Sequence, residues 1–403
     1  MSAEWEETTL ADISANVSYG YTESASDQKV GPRFLRITDI QNGVVNWSNV
    51  PYCPISKADH GKYRLQSGDI VVARTGNSTG ENFLYRGIED AVFASYLIRF
   101  RINPEEADPA FIWYNLRSKR WWNFINSSKT GSAQPGANAK VLGQFPVSLP
   151  PLTEQKSIAQ ILASLDDKIE LNRRMNETLE ALAQSLFKSW FVDATQSALP
   201  KGWREVPLPE AIRVNPPRPL RKGEVAPYLD MANMPTRSAR ALEIVDREFG
   251  SGMRFKNGDT LVARITPCLE NGKTCFVDFL KDDQIAWGST EYIVLQPKPP
   301  LPPEFAYFLA RTDEFRAFMI SNMTGTTGRQ RVPAECLSNF KVAIPPAELA
   351  EKFGKFASAA FAQMKAHDEE SRTLAALRDA LLPKLLSGEL RVPAAAQLTE
   401  ARA

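Results

Sequence analysis

Side chains that commonly act as nucleophiles, general bases or metal ligands are scarce in this sequence. Its 403 residues include only 2 histidines, His60 and His367, and 4 cysteines without a Cys-x-x-Cys spacing. Scattered cysteines of this kind are typical of reduced thiols rather than of a zinc site or a disulfide framework. We therefore expect neither a metal site nor histidine-based catalysis.

One short motif resembles a loop that holds a flipped base. Residues 215–218 (Asn-Pro-Pro-Arg) approach the Asn/Asp-Pro-Pro-aromatic loop of adenine-N6 methyltransferases, where the ring stacks on the base. Here arginine replaces the ring, Pro219 follows, and no glycine-rich turn after an early strand offers a cofactor site. An extended, proline-rich entry to a domain explains the motif better.

A second group imitates a nuclease centre. Asp259, Glu270 and Lys273 are the residue types that hold Mg²⁺ and assist an attacking water, but their spacing does not fit such a cluster. The Gly-Asp pair at 258–259 also recurs at 68–69 without an equivalent lysine. A turn before a strand explains the repeated pair more simply, so no catalytic residue is predicted.

The chain repeats itself once, at a spacing of between about 190 and 198 residues. Residues 68–74 have the sequence GDIVVAR, and residues 258–264 have the sequence GDTLVAR. Further pairs follow in the same order: Trp5 and Trp203, Leu10 and Leu208, Phe34-Leu35 and Tyr228-Leu229, Thr130-Gly131 and Thr324-Gly325, Pro150-Pro151 and Pro345-Pro346. Such an ordered series indicates a tandem duplication. Each half should contain short strands (68–74, 97–102, 260–264, 292–295) and then a helix (109–122, 303–319).

Long helices should follow the Pro-Pro pairs, at 153–193 and 347–382, with Pro383 and then Gly388 ending the second. Apolar residues alternate four and three positions apart in both, which is typical of a coiled-coil seam. The apolar positions predicted to face inward are Ile158, Leu162, Leu165, Ile169, Leu179, Ala183 and Leu186, and Phe353, Phe356, Ala360, Met364, Leu374, Leu377 and Leu381.

Polar residues interrupt the two seams at matching places, Asn172 and Asn176 in the first and His367 and Ser371 in the second. They either lie where the stripe drifts toward solvent or fix the register at a cost in stability. Because only 194–202 joins the first helix to the second half, the second helix must run back along the first to bury its seam. Helices of about 40 residues would then form an antiparallel spacer of roughly 50–60 Å.

The sequence thus predicts an α+β protein: two tandem α/β domains separated by a long antiparallel two-helix coiled coil, with a pseudo-two-fold internal repeat. Its parts are the first domain (1–149), the first long helix (150–193), a linker (194–202), the second domain (203–344), the second long helix (345–386) and a C-terminal tail (387–403).

The helical segments carry a family resemblance. Residues 149–155 (LPPLTEQ), with Ile158-Ala159 and LDDKI at 165–169, and the segment LRDALLPKLLSGEL at 377–390 resemble the conserved regions of specificity (S) subunits of Type I restriction-modification systems. One departure is the sequence PPAEL at 345–349, where the first region has Leu-Thr-Glu-Gln. The resemblance covers the whole chain, because the plan of two domains and two helices is shared as well.

The resemblance implies that the globular parts are target-recognition domains, each binding one half of a split, asymmetric site in double-stranded DNA. The chain would be a cytoplasmic, non-catalytic subunit of a phage-defence complex, without cofactor or membrane contact of its own. Two modification (methyltransferase) subunits would carry S-adenosylmethionine, and restriction (motor-nuclease) subunits would use ATP and Mg²⁺. The modification subunits would dock on the helices, at Glu154, Gln155, Leu165, Asp166, Leu382 and Leu386.

Specificity should lie in loops that differ between the halves within their common frame. A net charge of +1 requires the cationic DNA contacts to be concentrated locally. Glutamine can pair with adenine, arginine with guanine, and lysine or threonine can hold phosphate. The DNA contacts predicted are Lys129, Thr130, Ser132, Gln134 and Lys140 in the first half, and Thr326, Arg329, Gln330 and Arg331 in the second.

Arg74 and Arg264 end equivalent strands and are included among the candidate DNA contacts. A structural ion pair or cap is the first interpretation of both. A phosphate contact is the alternative, since a position common to two halves that bind different sequences cannot carry specificity.

Two other functions stay open at this point. A stand-alone adenine-N6 DNA methyltransferase would need a cofactor loop that the sequence lacks. A coiled-coil protein scaffold without DNA specificity would bind specific and random duplex equally.

Overall fold

The computed structural model describes residues 5–128, 137–281, 283–326 and 328–392. Contacts divide the chain into two compact units, Met1–Ile169 with Arg372–Ala403 and Glu170–Ser371. Each long helix therefore contributes one part to each unit. The predicted DNA contacts Lys129, Thr130, Ser132 and Gln134 lie outside the described residues.

The first half of the chain alternates short strands with short helices before the first long helix. In chain order these are β1 (Glu6–Thr9), β2 (Ser14–Tyr19), β3 (Arg33–Leu35), α1 (Lys57–Tyr63), β4 (Asp69–Ala73), β5 (Asn82–Leu84), β6 (Ala91–Phe93), β7 (Leu97–Ile102), α2 (Pro109–Asn115), α3 (Lys119–Ser128), α4 (Ala139–Gly143), β8 (Pro146–Leu149) and α5 (Leu152–Phe187).

The second half follows the same plan. Its elements are β9 (Arg204–Pro207), α6 (Leu208–Ala211), β10 (Ile212–Val214), β11 (Val225–Leu229), β12 (Val245–Glu248), β13 (Met253–Phe255), β14 (Thr260–Ala263), β15 (Thr274–Phe276), β16 (Ala286–Gly288), β17 (Tyr292–Pro297), α7 (Phe305–Ala310), α8 (Asp313–Ser321), β18 (Lys341–Ile344) and α9 (Ala347–Leu386).

The same strand orders occur in both units. One contains the antiparallel sheet β2-β7-β4-β5, and the other contains β10-β17-β14-β15. A parallel pair, β3 with β6 or β11 with β16, accompanies each sheet. The first and last strands of each half pair with each other, β1 with β8 and β9 with β18. The repeat in the sequence is therefore a repeat of topology.

Strand β4 separates two hydrophobic cores because successive side chains point to opposite faces of a sheet. Ile70 and Val72 pack in a large core that also holds residues of α2, α3 and α5. Val71 and Ala73 pack in a smaller core on the other face. All five residues of the strand are buried, so its ends are fixed firmly in place.

The helices predicted at 109–122 and 303–319 are each two short helices, α2 with α3 and α7 with α8. A new N-cap explains each break. The Ser118 hydroxyl accepts from the N–H of Trp121 at 3.3 Å, and the Thr312 hydroxyl accepts from that of Phe315 at 3.3 Å. These bonds satisfy N–H groups that a helix start leaves without partners.

The long helices differ from prediction in three details. After α5, a π-helical turn (Lys188–Val192) continues the chain, and α9 runs through Pro383 to Leu386. Pro383 is exposed, so water can reach the backbone carbonyl that its missing N–H leaves free. Leu377, predicted to face inward, is 47% exposed. Its neighbour Arg378 is turned inward instead, because it forms an ion pair with Asp166 at 2.6 Å.

The polar residues of the seams do not drift toward solvent. Asn172 is 0% and His367 is 5% exposed. The Nδ2 of Asn172 donates to Glu370 at 2.8 Å and to Ser371 at 3.2 Å, and Oδ1 of Asn176 lies 2.8 Å from Nδ1 of His367. Helices α5 and α9 therefore run antiparallel where they pair within the second unit. Among the described residues, no helix has the length and apolar character needed to cross a membrane.

Candidate nucleic-acid interface

Arg74 and Arg264 follow β4 and β14 and occupy the same backbone frame. Their N–H groups donate to the carbonyls of Tyr96 (3.1 Å) and Glu291 (3.0 Å), each of which directly precedes the neighbouring strand. Their carbonyls accept, at 2.9 Å, from Ala137 in one unit and from Val332 in the other. Val332 directly follows the loop of the second unit and Ala137 lies three residues after Gln134 of the first, so the chain just beyond each candidate DNA loop lies beside the arginine.

The loop of the second unit is a narrow hairpin. Thr324 and Arg331 exchange backbone hydrogen bonds of 2.9 Å, and the N–H of Arg329 donates to the carbonyl of Thr326 at 3.0 Å. The carbonyl of Gln330 accepts from the N–H of Thr266, just beyond the end of β14. The structure therefore brings the predicted contacts Thr326, Arg329, Gln330 and Arg331 together with Arg264. Thr326 and Arg329 are exposed, and Gln330 and Arg331 are half-buried.

Glu291 connects the hairpin to the end of β14 through two ion pairs. Its carboxylate lies 3.3 Å from Nε of Arg264 and 2.8 Å from Nε of Arg331. The structural ion pair expected for Arg264 is therefore present. Arg331, a predicted base contact, shares the same carboxylate, although 44% of its side chain remains exposed.

Arg74 has different surroundings. Its Nε donates to the carbonyl of Ser95 at 2.9 Å, and its guanidinium lies 5.2 Å from the ring centre of Tyr19 and 5.9 Å from that of Tyr96. Within the described part of the chain no carboxylate pairs with it, so the ion pair expected here is absent. The hydrogen bond to Ser95 and the two rings hold the side chain instead.

Lys140 lies in α4, one turn beyond the first loop, and is exposed. Asn138 caps this helix by accepting from the N–H of Val141 at 2.9 Å. The N–H of Ala139 donates to the hydroxyl of Tyr19 at 3.1 Å. The described end of the first loop therefore lies beside both Tyr19 and Arg74.

Sequence reasoning missed Tyr19 and Tyr96. These two residues are 43% and 58% exposed, whereas large aromatic side chains are more often buried in a core. The spacing between Tyr96 and Glu291 falls within the range of the repeat, so an alignment of the two halves could have found this pair. A search for known motifs overlooks this pair, because Tyr96 and Glu291 occupy equivalent positions of the two halves but differ in residue type.

The two aspartates of the repeated Gly-Asp pair hold turns. Asp69 accepts from the N–H of Gln66 at 2.7 Å and pairs with Arg101 at 2.7 Å. Asp259 accepts from the N–H of Lys256 at 2.8 Å and pairs with Arg218 at 2.6 Å. Burial raises the pKa of Asp259, while the hydrogen bond from Lys256 and the charge of Arg218 oppose that rise.

These contacts also account for the residues that imitate catalytic motifs. Arg218, the last residue of the Asn-Pro-Pro-Arg sequence, neutralises buried Asp259. Asn215 extends the β10–β17 pairing, because its side chain accepts from the N–H of Val294 at 2.9 Å. Lys273 donates to the carbonyl of Met231 at 2.5 Å. In the described ranges, no three His, Cys, Asp or Glu side chains are grouped to hold a metal ion.

The residues predicted to dock partner subunits all lie in the first unit and make contacts within it. Glu154 forms a bidentate ion pair with Arg391 at 2.8 Å. Gln155 is 1% exposed and accepts from the N–H of Asp108 at 2.9 Å. Asp166 accepts from the hydroxyl of Tyr114 at 2.9 Å and pairs with Arg378. The remaining three are buried or half-buried apolar residues, namely Leu165, Leu382 and Leu386. Docking at these residues stays a prediction.

Each unit fastens its globular part to α5 through a tyrosine and an acid. In the first unit Tyr114 donates to Asp166. In the second, Tyr307 donates to Glu180, which also accepts from the N–H of Ala239 at 3.1 Å. Burial raises the pKa of Glu180, although these hydrogen bonds and Arg311 oppose the rise. The orientation of each sheet on its helix is thereby fixed by buried polar contacts as well as by packing.

The described residues form an α/β frame that occurs twice, and the loop segments next to the two equivalent arginines differ in sequence. Residues 2–181 match the family model described as the Type I restriction modification DNA specificity domain. The chain is thus similar, over these residues, to the specificity subunits of Type I restriction enzymes.

Individual relatives agree. The HindI specificity subunit of Haemophilus influenzae is 29% identical over 199 residues, which are 47% of this chain and 41% of that subunit. The MjaIX specificity subunit of Methanocaldococcus jannaschii is 22% identical over 356 residues, 82% of this chain and 76% of the relative. The match thus spans less than half of the HindI subunit but most of the MjaIX subunit.

A solved structure shares the fold. The crystal structure of the Type-I restriction-modification S subunit from M. genitalium superposes with a TM-score of 0.60 at 16% sequence identity. The superposition covers 94% of this chain and 96% of that one. The likeness to the fold of an S subunit therefore extends over most of the chain.

Proposed function

We propose that this chain is the sequence-specific, double-stranded DNA recognition subunit of a Type I restriction-modification complex. One observation carries the proposal: each unit closes its candidate DNA loop on an arginine at the end of a buried strand, but different side chains surround that arginine. A common frame with unlike surfaces suits a split, asymmetric site, one half for each unit. The match of residues 2–181 to a DNA specificity domain supports it.

The proposed architecture is two α/β target-recognition domains separated by an antiparallel two-helix coiled coil. Contacts within each unit support this pairing of helices. Asp166 of α5 pairs with Arg378 of α9 in the first unit, and Asn176 pairs with His367 in the second. Buried hydrogen bonds between helices are suited to fix their register, and hence the distance between half-sites.

The chain would be non-catalytic and would act through its partners. Two modification subunits that carry S-adenosylmethionine would dock on the helices, and ATP- and Mg²⁺-dependent restriction subunits would complete the complex. The purified chain should therefore show no methyltransferase or nuclease activity, and methylation should appear on addition of a modification subunit and S-adenosylmethionine. Turnover by the chain alone, in proportion to its concentration, would contradict the proposal.

The decisive experiment maps methylated adenines in host DNA with and without this gene. The expected result is a single split, asymmetric motif that disappears with the gene. A duplex containing that motif should then compete for the assembled complex far better than a random duplex. Equal competition would instead favour a protein scaffold without DNA specificity.

A further inference from the structure

The residues that directly precede β7 and β17 are Tyr96 and Glu291. They occupy equivalent backbone positions in the two units but differ in side chain. Tyr96 and Glu291 both accept the backbone N–H of the arginine that ends the neighbouring strand. Their side chains are of opposite kinds, one aromatic and neutral, the other a carboxylate. The backbone therefore places them identically, while their chemistry acts differently on that arginine.

Glu291 neutralises much of the positive charge in the second unit. Its two oxygens hold Arg264 and Arg331, and 19% of its side chain is exposed. Two arginines around one carboxylate retain a single net positive charge. A DNA phosphate that approached them would have to compete with a fixed, partly desolvated anion.

No such anion accompanies Arg74 among the residues that the structure describes. The described residues give its side chain one carbonyl and two rings, and residues 129–136 contain neither Asp nor Glu. Nε is the donor to Ser95, and among the described residues neither terminal nitrogen has an acceptor, so both are available to donate. Tyr19 and Tyr96 restrict the guanidinium without neutralising it. A cation that is held in place but not paired is suited to bind phosphate.

We propose that the residue at this frame position decides whether the adjoining arginine binds the DNA backbone. Tyr96 leaves Arg74 free to hold a phosphate, whereas Glu291 withdraws Arg264 from the backbone and positions Arg331 for contact with a base edge. The two units would thus grip DNA unequally. The inference rests on the proposed function, because it requires that both units contact DNA.

The test uses the full chain assembled with a modification subunit and a duplex that contains the mapped motif. Each phosphate contact adds about 0.9 to the slope of log affinity against log salt concentration. Arg74→Gln and Tyr96→Glu should each lower the magnitude of the slope by about one contact. Glu291→Gln should raise it by about one contact and weaken discrimination at one half-site. Tyr96→Phe keeps the ring and should leave the slope unchanged.

Circular dichroism and thermal unfolding identify variants that fail to fold; if Arg74→Gln is one of them, Tyr96→Glu tests Arg74 in its place, and a wild-type slope in that folded variant also overturns the inference. A wild-type slope in folded Arg74→Gln, or no rise in Glu291→Gln, overturns the inference. Failure of the proposed function is distinguishable, because the wild-type complex would then show no preference for the mapped motif over a random duplex.

Discussion

Single buried carboxylates hold the turns at which β4 and β14 begin. Asp69 and Asp259 hold equivalent turns, but their arginine partners come from different places, Arg101 on β7 and Arg218 in the segment before β11. The turn itself follows from the Gly-Asp sequence. The partners do not, because local sequence cannot indicate which distant arginine will reach a buried acid.

Gln330 offers the cleaner test of base contact in the second loop. Its backbone carbonyl holds the loop in place, whereas its side chain is free of the Glu291 ion pairs. We expect Gln330→Ala to weaken binding to one half-site by about 1–3 kcal/mol, the value of a lost bidentate base contact, and to leave the other half-site unaffected. Binding to duplexes altered in one half-site at a time measures this.

Arg331→Ala is the companion variant, and it should reduce the same half-site. Because it also removes an ion pair from Glu291, its effect should include some loss of thermal stability. Gln134→Ala should affect the opposite half-site, although Gln134 lies outside the described residues. If these changes weakened all duplexes equally, the loops would hold phosphate rather than bases.

Glu304 should make the second unit sensitive to pH. It is 5% exposed, and Ser358 donates to one carboxylate oxygen at 2.7 Å, while the other oxygen has no hydrogen-bond partner within the described ranges. Burial raises the pKa of Glu304 above its ordinary value of 4.5, and the bond from Ser358 only partly opposes the rise. The folded chain therefore holds this proton at a pH where the unfolded chain has released it, so stability falls as pH rises through that interval.

Glu304→Gln should abolish this loss. We expect the unfolding temperature of the variant to gain on that of the wild type as pH rises above 4.5, and the gain to level off once the folded carboxyl has ionised. Glu243→Gln, at an exposed loop position, is the matched control and should follow the wild-type curve. Parallel curves for Glu304→Gln and the wild type would refute the assignment.

At the scale of elements, the period of apolar residues was the most reliable guide. The strand predicted at 97–102 has those bounds in β7, and the predicted strand at 292–295 lies within β17. The long helices were predictable because their seams extend over many turns. The breaks after α2 and α7 were missed, since a single serine or threonine cap outweighs a continuing apolar pattern.

Asn172 and Asn176, the two polar residues of the α5 seam, should contribute unequally to the free energy of unfolding. Asn176 faces the buried imidazole of His367 and also donates to Asp368 at 2.9 Å, whereas Oδ1 of Asn172 has no hydrogen-bond partner in the part of the chain that the structure describes. Asn176→Leu removes the partner of Nδ1 of His367 and leaves only Gln363, 2.7 Å from Nε2, so we expect a loss of about 1–3 kcal/mol in the free energy of unfolding. Asn172→Leu should cost less, because a leucine gains apolar contact there. Urea unfolding of the two variants measures the difference.

The double variant Asn176→Leu with His367→Leu controls for packing. Replacing both partners of a buried hydrogen bond by apolar groups can be nearly neutral, so the second change should recover part of the loss. Additive losses in the double variant would show that the two side chains do not act as a pair. The register role of Asn176 would then have no energetic basis.

At the scale of the molecule, each unit is built from both halves of the repeat, because each long helix contributes a part to both units. The first unit is completed by the end of α9, where Leu385 is 1% exposed and packs in the same core as Leu10 and Ile158. In the second unit Phe187 and Phe191, near the end of the first helical segment, fill a comparable core. The repeat and the returning helix were predictable from sequence. The unequal arginine frames were not, because they depend on side-chain contacts between residues distant in the chain.

This shared construction governs what one copy should do alone. Residues 1–202 lack α9, so the seam from Ile158 to Leu186 would remain exposed, and a monomer could not easily keep such an apolar stripe in water. The nearest substitute for α9 is α5 of a second copy of the fragment. Phe187 and Phe191 of that copy have the same four-residue spacing as Leu382 and Leu386 and could take their places. The larger rings should make this pairing less stable than the full chain, because overpacking strains a core.

We therefore predict that residues 1–202 form a two-fold homodimer that still docks the modification subunits, with Asn172 and Asn176 facing their own counterparts near the middle of the seam. Both ends would then bind the same half-site. Methylation should move from the asymmetric motif to an inverted repeat with a similar gap, and sedimentation should report a dimer with an unfolding temperature below that of the full chain. Methylation of the original asymmetric motif by the truncated chain, or a folded monomer that binds a single half-site, would refute the exchange of equivalent helices on which the prediction depends.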